Sequence, residues 1–326
     1  MRSIFVHCTP GGEYENIPLR GNKMTNENKV NIQSRMDTYH SKPPKLPHIE
    51  KLKTGAPAAI VGDYIYALIP VKGVGDVVKC KGKPHGTPLE EIGHDSGFFN
   101  MSSNRHTDYA TFESDISERL HHRNQLAEIG RYTENSNTST MWGKAQHVER
   151  YAKGINCYST SGHGGFKISS KVNEEIPEYF RNKDGNYEED CEWAKVALSF
   201  PAVFTDREIN FAIDTVKNFY PDEYEKYFDV KLIEGESSKR DRQIFEKRNK
   251  DNFVVISASL EDDGMVRAIA TIGGQRQQYN GPKIEEKTFL VTKEDYDTRR
   301  PSGFAIDPNK HEEVLIKDAE PSAPRM

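Results

Sequence analysis

Cysteine is scarce in this chain and never clustered. Cys8, Cys80, Cys157 and Cys191 are the only four in 326 residues, and no two form a C-x-x-C pair. That argues against a disulfide framework or a zinc knuckle and fits reduced thiols in a cytosol. Long apolar runs are missing as well: nothing approaches the roughly 18 residues of a membrane span. Ile4-Phe5-Val6 is too short for a signal-peptide core. The expected location is therefore cytoplasmic, with no membrane partner. Charge of one sign is not in large excess, since 45 Lys and Arg face 50 Asp and Glu for a net −5. That balance argues against a dedicated whole-surface nucleic-acid binder. Hydrophobic residues make up only 35% against 29% charged, and the mean hydropathy is −0.78. Such a chain has a modest core and much polar loop. The length fits two domains, or one large domain with arms. No internal repeat is present.

Residues 1–55 read as a flexible arm, polar and broken by Lys42-Pro43-Pro44-Lys45-Leu46-Pro47. Met1 and Met24 are alternative starts, because codons for Arg20-Gly21 can spell a purine-rich ribosome-binding sequence. Residues 56–135 read as a small mixed region. Ile60–Val71, apolar on both faces, is a buried strand with Val74–Val78 as its partner. Residues 80–107 form a loop rich in glycine and histidine. The helical spacing of Phe112, Ile116, Leu120 and Ala127 predicts a helix over 111–129. The polar run Asn135–Thr140 then marks a domain boundary.

A central helical domain is expected over 145–235. Two strands, Ile155–Tyr158 and Phe166–Ile168, flank a Gly-His-Gly-Gly turn. A short helix follows Ser169 or Ser170 and is interrupted at Pro177. Another helix over about 188–200 buries Trp193 and Ala197. Thr205-Asp206-Arg207-Glu208 is a capping box opening a helix with Ile209, Ala212, Ile213 and Val216 inward. Pro221 starts a further turn. Residues 236–316 read as a charged helix over 238–249 followed by an antiparallel region. There Phe253–Ala258 and Met265–Ile272 are joined by Asp262-Asp263-Gly264, and Thr288–Val291 and Gly303–Ile306 add short strands. Gly273-Gly274-Gln275-Arg276 lacks the Gly-Lys-Ser/Thr ending of a phosphate loop and reads as a turn. Residues 317–326 read as a disordered tail. The order defines an α+β fold and not a doubly wound nucleotide fold.

The chemistry-bearing stretch runs from Ser161-Gly162-His163-Gly164-Gly165-Phe166 to Tyr187-Glu188-Glu189-Asp190-Cys191-Glu192-Trp193. Glycines around His163 permit positive φ and present the imidazole in the open. A reachable imidazole titrating near neutrality suits a general base or a metal ligand, and equally a ring that pins its own turn. Glu188, Glu189 and Asp190 offer hard oxygen ligands for magnesium or manganese, of which at most two could reach one ion, with His163 completing the set. In a first helical turn the same carboxylates would only offset the macrodipole. Cys191, early in that helix, would have a lowered thiol pKa. His94, His106, His121, His122 and His147 lack helical zinc spacing, and His121 and His122 are expected on a solvated helix flank. Two stretches are basic: Lys42, Lys45, Lys51, Lys53, Lys79, Lys81 and Lys83, and the helix carrying Lys239, Arg240, Arg242, Lys247, Arg248 and Lys250. That helix is either a phosphate track or a solvated face.

The run from Ser161-Gly162-His163-Gly164-Gly165-Phe166 through Tyr187–Ala194 to Phe200-Pro201 resembles an uncharacterised family of bacteriophages, plasmids and other mobile elements. Val254–Ala258, Gly273–Arg276, Phe289–Val291 and Gly303–Pro308 are similar to that family's C-terminal companion region. The resemblance covers roughly residues 155–315. It departs at Ser161-Gly162, where the family pattern has Pro-Ser before the histidine. It implies no activity, only a setting, the host bacterial cytosol, in which accessory proteins counter host defence or handle nucleic acid. The leading expectation is a non-catalytic protein that binds a host protein, defence complex or nucleoprotein complex and needs no cofactor. One rival is a metal-dependent hydrolase of phosphodiesters using His163 with Glu188 or Asp190 and a divalent ion. Another is a nucleic-acid binder working through Lys239, Arg240, Arg242, Lys247 and Arg248.

Overall fold

A computed structural model describes residues 26–41, 47–83, 86–93, 97–100 and 107–314. The chain divides into two compact units after Thr215. Both mix helices with antiparallel sheet, so the fold is α+β. Met24 and the tail from residue 315 onward lie outside the described residues.

In the first unit, helix α1 (Asn26–Ser41) precedes a sheet of β1 (Glu50–Lys51), β2 (Pro57–Val61), β3 (Tyr64–Val71), β4 (Gly75–Gly82) and β5 (Phe99–Asn100), paired in that order. The apolar run over 60–71 is therefore a hairpin of two strands, turning at Gly62 with φ 64°. Its two-sided apolar pattern is borne out. Ala58, Ile65, Ala67 and Ile69 pack on one face with Leu52, Leu89 and Ile92. Ala59, Val61, Tyr66 and Leu68 pack on the other with Phe112 and Ile116. Those last two belong to α2 (Tyr109–Ile129), which starts where Asp108 accepts from the Thr111 N–H at 2.7 Å and stops at Gly130, left-handed with φ 73°. Burying each of these large side chains is worth about 1.5–3 kcal/mol. Ala127 is exposed, so the inward stripe ends earlier than its spacing predicts.

The expected arm is corrected over 26–41. Helix α1 buries Ile32 and Met36, and Arg35 donates to the carbonyls of Pro201 and Phe204, both at 2.7 Å, and to the Asp206 carboxylate. The composition of this helix gives little apolar area, and ionic anchoring far along the chain holds it.

The segment expected to be a helical domain is organised on a second sheet, in the order β12-β11-β10-β9-β6. Its strands are β6 (Tyr132–Asn135), β9 (His147–Ala152), β10 (Ile155–Ser159), β11 (Gly164–Ile168) and β12 (Asn186–Glu188). Between β6 and β9, the supposed boundary loop begins a small hairpin of β7 (Ser139–Thr140) and β8 (Gly143–Lys144). Short polar strands such as His147–Ala152 carry little β signal of their own and form because neighbours pair with them. One face of this sheet packs Phe166 against Tyr151 at 4.9 Å and Phe204 at 5.8 Å between ring centroids. The guanidinium of buried Arg131 lies 4.2 Å from the Tyr151 ring centre, while its Nη2 donates to Glu208 at 2.8 Å. Helices α3 (Ser170–Asn173), α4 (Trp193–Ser199) and α5 (Asp206–Phe219) complete this part. The capping box is present as read: the Thr205 N–H donates to Glu208 at 2.8 Å and the Glu208 N–H to Thr205 Oγ1 at 3.3 Å. Ile209, Ala212 and Val216 are buried, and Ile213 is half-buried.

The second unit holds the rest of α5, α6 (Pro221–Phe228), α7 (Ser238–Arg248) and a sheet of β13 (Phe253–Leu260), β14 (Met265–Ile272), β15 (Lys287–Thr292) and β16 (Glu312–Glu313), with α8 (Lys293–Asp297) after β15. The β13–β14 hairpin turns at Gly264, φ 83°. Gly273-Gly274 is the expected turn, both residues left-handed. Gly303–Ile306 is not a strand. It meets β13 through a bridge at Ala305 and two hydrogen bonds, from Val255 to Phe304 and from Ile306 to Phe253.

Candidate metal site

Strands β10 and β11 close on residues 160–163, with Ser159 opposite Gly164. Thr160 fastens this turn: its N–H donates to the His163 carbonyl at 2.9 Å, its hydroxyl donates to the same oxygen at 2.6 Å, and the His163 N–H reaches back to Oγ1 at 3.2 Å. The imidazole is left exposed. No glycine here has positive φ, which corrects the expected role of Gly162, Gly164 and Gly165. Room is what the last two supply. A Cβ at Gly164 would stand 2.5 Å from the Tyr158 carbonyl oxygen and 2.7 Å from Glu189 Oε2. One at Gly165 would meet the Tyr187 carbonyl oxygen at 2.3 Å and the Trp142 ring at 2.5 Å.

Strand β12 lies against β11 with Glu188 opposite Gly165. The Glu189 N–H extends the ladder by donating to the Gly164 carbonyl at 3.2 Å. Beyond it the chain turns on side-chain acceptors. The Asp190 N–H donates to Glu188 Oε2 at 2.7 Å, and the Glu188 N–H donates to Glu192 Oε2 at 3.1 Å. One ligand atom each from His163, Glu188 and Glu189 lies within 4.8 Å of the other two. Burial, then the charges of Glu188 and Asp190, hold the Glu189 carboxyl above its ordinary range, with His163 opposing. A divalent cation would reverse that effect.

Three expectations about the acidic stretch are corrected. The triplet does not open a helix: Glu188 ends a strand, and α4 begins only at Trp193. Offsetting a macrodipole therefore does not explain these carboxylates. Asp190 is outside the cluster and exposed, so of the three candidate carboxylates Glu188 and Glu189 are the two that meet His163. The thiol of Cys191 is raised by burial and by Asp190, Glu188 and Glu192, the reverse of an activated nucleophile. Trp193 is only half-buried at the first position of its helix, whereas Ala197 is fully buried. Cys157 is buried as expected, and burial pushes its thiol well up.

Sequence reasoning also missed a polar hub. His121 is not on a solvated flank: its Nε2 lies 2.8 Å from Asp206 Oδ2, and the same oxygen accepts from Gln125 at 2.6 Å. His122 Nδ1 lies 2.8 Å from the Thr205 hydroxyl, and burial lowers its pKa. Asp206 thus gathers Arg35, His121 and Gln125 at the start of α5. The acceptors lie more than eighty residues from the histidines, so no local pattern announces them. His94 and His106 lie outside the described residues.

The basic helix α7 is largely matched by acids within its own unit. Arg240 bonds Asp222 at 2.7 Å and lies 3.1 Å from Glu225, Arg248 bonds Glu234 at 3.0 Å, and Arg242 lies 3.6 Å from Glu246. Lys239 donates to the Phe219 carbonyl at 2.9 Å. Lys247 is exposed and makes no ion pair among the described residues. Of the other basic stretch, Lys42 and Lys45 lie outside the described residues.

Residues 135–250 match a domain of unknown function, DUF7007. The match begins at the last residue of β6 and ends just past α7, so it contains the whole His163–Glu188–Glu189 cluster. No curated protein and no solved structure matches the chain. Among the described residues, no helix is long and apolar enough to cross a membrane.

Proposed function

We propose that the chain binds one divalent cation through His163, Glu188 and Glu189 and serves as a metal-dependent hydrolase of phosphodiesters. The observation that carries this reading is the convergence of one imidazole and two carboxylates within 4.8 Å, each on backbone fixed by hydrogen bonds. One nitrogen and two oxygen donors suit manganese, magnesium or zinc and leave coordination positions open. A bound ion would polarise a phosphoryl oxygen and lower the pKa of a water. Hydrolysis then joins the water oxygen to phosphorus and breaks one P–O ester bond, and the alcohol leaves with a proton. The chain's part is positional: Thr160 holds the histidine backbone, and the Asp190 N–H orients Glu188. The test is hydrolysis of bis(p-nitrophenyl) phosphate with manganese, against His163→Ala and Glu189→Gln. Metal-dependent turnover lost in both variants supports the reading, and equal turnover in all three proteins overturns it.

A second reading is an accessory protein of a bacteriophage or other mobile element that binds a host protein, with counter-defence as its purpose. The exposed Met141, 67% accessible in the β7–β8 turn beside the cluster, favours it. A tagged pull-down from bacterial lysate, with and without nuclease, separates the two readings. A stoichiometric protein captured by the wild-type chain and lost with Met141→Asp supports the second, and an empty pull-down sinks it.

A further inference from the structure

The β7–β8 hairpin is tied to the turn that carries His163. Its two-residue turn is Met141-Trp142, and the Trp142 carbonyl lies 3.4 Å from the Thr160 hydroxyl. The Trp142 ring covers Gly165, where a Cβ would stand 2.5 and 2.7 Å from its Cζ2 and Cη2. Gly165 is the cross-strand partner of Glu188, and directly opposed residues point to the same face. The indole therefore lies on the face of the sheet to which Glu188 belongs. Two residues along β11, and so on this same face, Lys167 is exposed and makes no ion pair among the described residues. Phe166 and Ile168 occupy the opposite face and are buried.

An indole kept half in solvent, a metal-ligand carboxylate and an unpaired cation thus share one side of one strand pair. Aromatic rings in such settings stack on bases, while cations and metal take the phosphate. We infer that Trp142 is the base-stacking platform of this site, so that the substrate is a single-stranded oligonucleotide whose base lies on the indole and whose phosphate lies toward Lys167 and Glu188. This deepens the hydrolase reading and rests on it for the placement of the phosphate. Double-stranded nucleic acid does not fit, because its bases are already stacked.

The test uses the full chain in EDTA, so that binding is read without turnover and independently of the metal. The probes are a five-nucleotide single-stranded thymidylate and its abasic sugar-phosphate counterpart. In a Trp193→Phe background, Trp142 is the sole tryptophan reporter. Stacking predicts quenching by the thymidylate and affinity about 5- to 150-fold weaker for the abasic strand or for Trp142→Ala. The abasic comparison on the Trp142-containing chain stands even if Trp142→Ala misfolds. Equal binding of both strands, or absence of binding both in EDTA and with calcium added to neutralise the carboxylates, overturns the inference. Manganese binding measured separately on Trp142→Ala tells the two claims apart: unchanged metal affinity with lost base preference is the expected pair. Base preference in a chain that binds no manganese would leave the platform and remove the hydrolase.

Discussion

Glu189 places a carboxylate oxygen where any side chain at position 164 would have to stand, 2.7 Å from a Cβ built there. The Tyr158 carbonyl closes the other side at 2.5 Å, and backbone cannot swing away. Gly164→Ala is therefore expected to destabilise the protein by about 1–3 kcal/mol through overpacking and to displace the Glu189 carboxylate. Gly162, two residues earlier, meets nothing within 4 Å and has no positive φ. Gly162→Ala should leave both stability and manganese affinity unchanged. Urea denaturation and metal titration of the two variants check the contrast, and equal effects from both would refute it.

Arg35 is the fastening of α1. Its guanidinium meets the Asp206 carboxylate and two carbonyls, while Ile32 and Met36 give the helix its only large buried apolar side chains among the described residues. Removing it as Arg35→Ala leaves Asp206, 12% exposed, short of a cationic partner. The loss expected in urea denaturation is about 1.5–3 kcal/mol, the range for hydrogen bonds to charged groups. Hydrogen exchange should quicken in α1 before any other element, and uniform exchange would refute the fastening.

Asp206 also sets an acid limit. Burial pushes its carboxyl up, but hydrogen bonds from His121, Arg35 and Gln125 outweigh that and hold it below the ordinary aspartate range. The folded value lies below the unfolded one, so the stabilisation is complete above about pH 4 and is lost as pH falls through the folded value. Asp206→Asn should be less stable than wild type at pH 7, with the difference shrinking as pH drops below about 4. A pH series of thermal melts decides it, and a constant gap across that range would contradict it.

Two thiols are sealed. Burial raises Cys80 to about 11 and Cys157 further still. Peptide mapping after alkylation at pH 8 should find both unmodified in native protein and both labelled in urea. Rapid native labelling of Cys157 would mean that the face of the second sheet carrying Phe166 opens.

What could be read from sequence was local. The Thr205–Glu208 capping box and the Asp262-Asp263-Gly264 hairpin each contain their own partners, and both are present. The two-sided apolar run at 60–71 identified buried strand because burial on both faces leaves a direct trace in composition. Features decided by distant partners were misread. Helix α1 looks like arm because Asp206 lies 171 residues away. His121 and His122 look solvated because their partners are Asp206 and Thr205. Glu188-Glu189-Asp190 reads as a helix start, and pairing with Gly164 and Gly165 makes it the end of a strand instead. Of the three candidate carboxylates, Glu188 and Glu189 meet His163 and Asp190 does not. The alternation Asn186-Tyr187-Glu188, an apolar residue between two polar ones, was the available signal, and Tyr187 is the buried one.

Isothermal titration of the full chain with manganese, repeated on His163→Ala and Glu189→Gln, bears most directly on the site. One ion per chain is expected, with each variant weakened at least about tenfold because a direct ligand is lost. Asp190→Asn should weaken binding far less than either ligand variant, since position 190 supplies a backbone N–H to Glu188 and a nearby charge but no ligand atom. No binding by the wild-type chain, or equal binding by all four proteins, would contradict a metal at His163, Glu188 and Glu189.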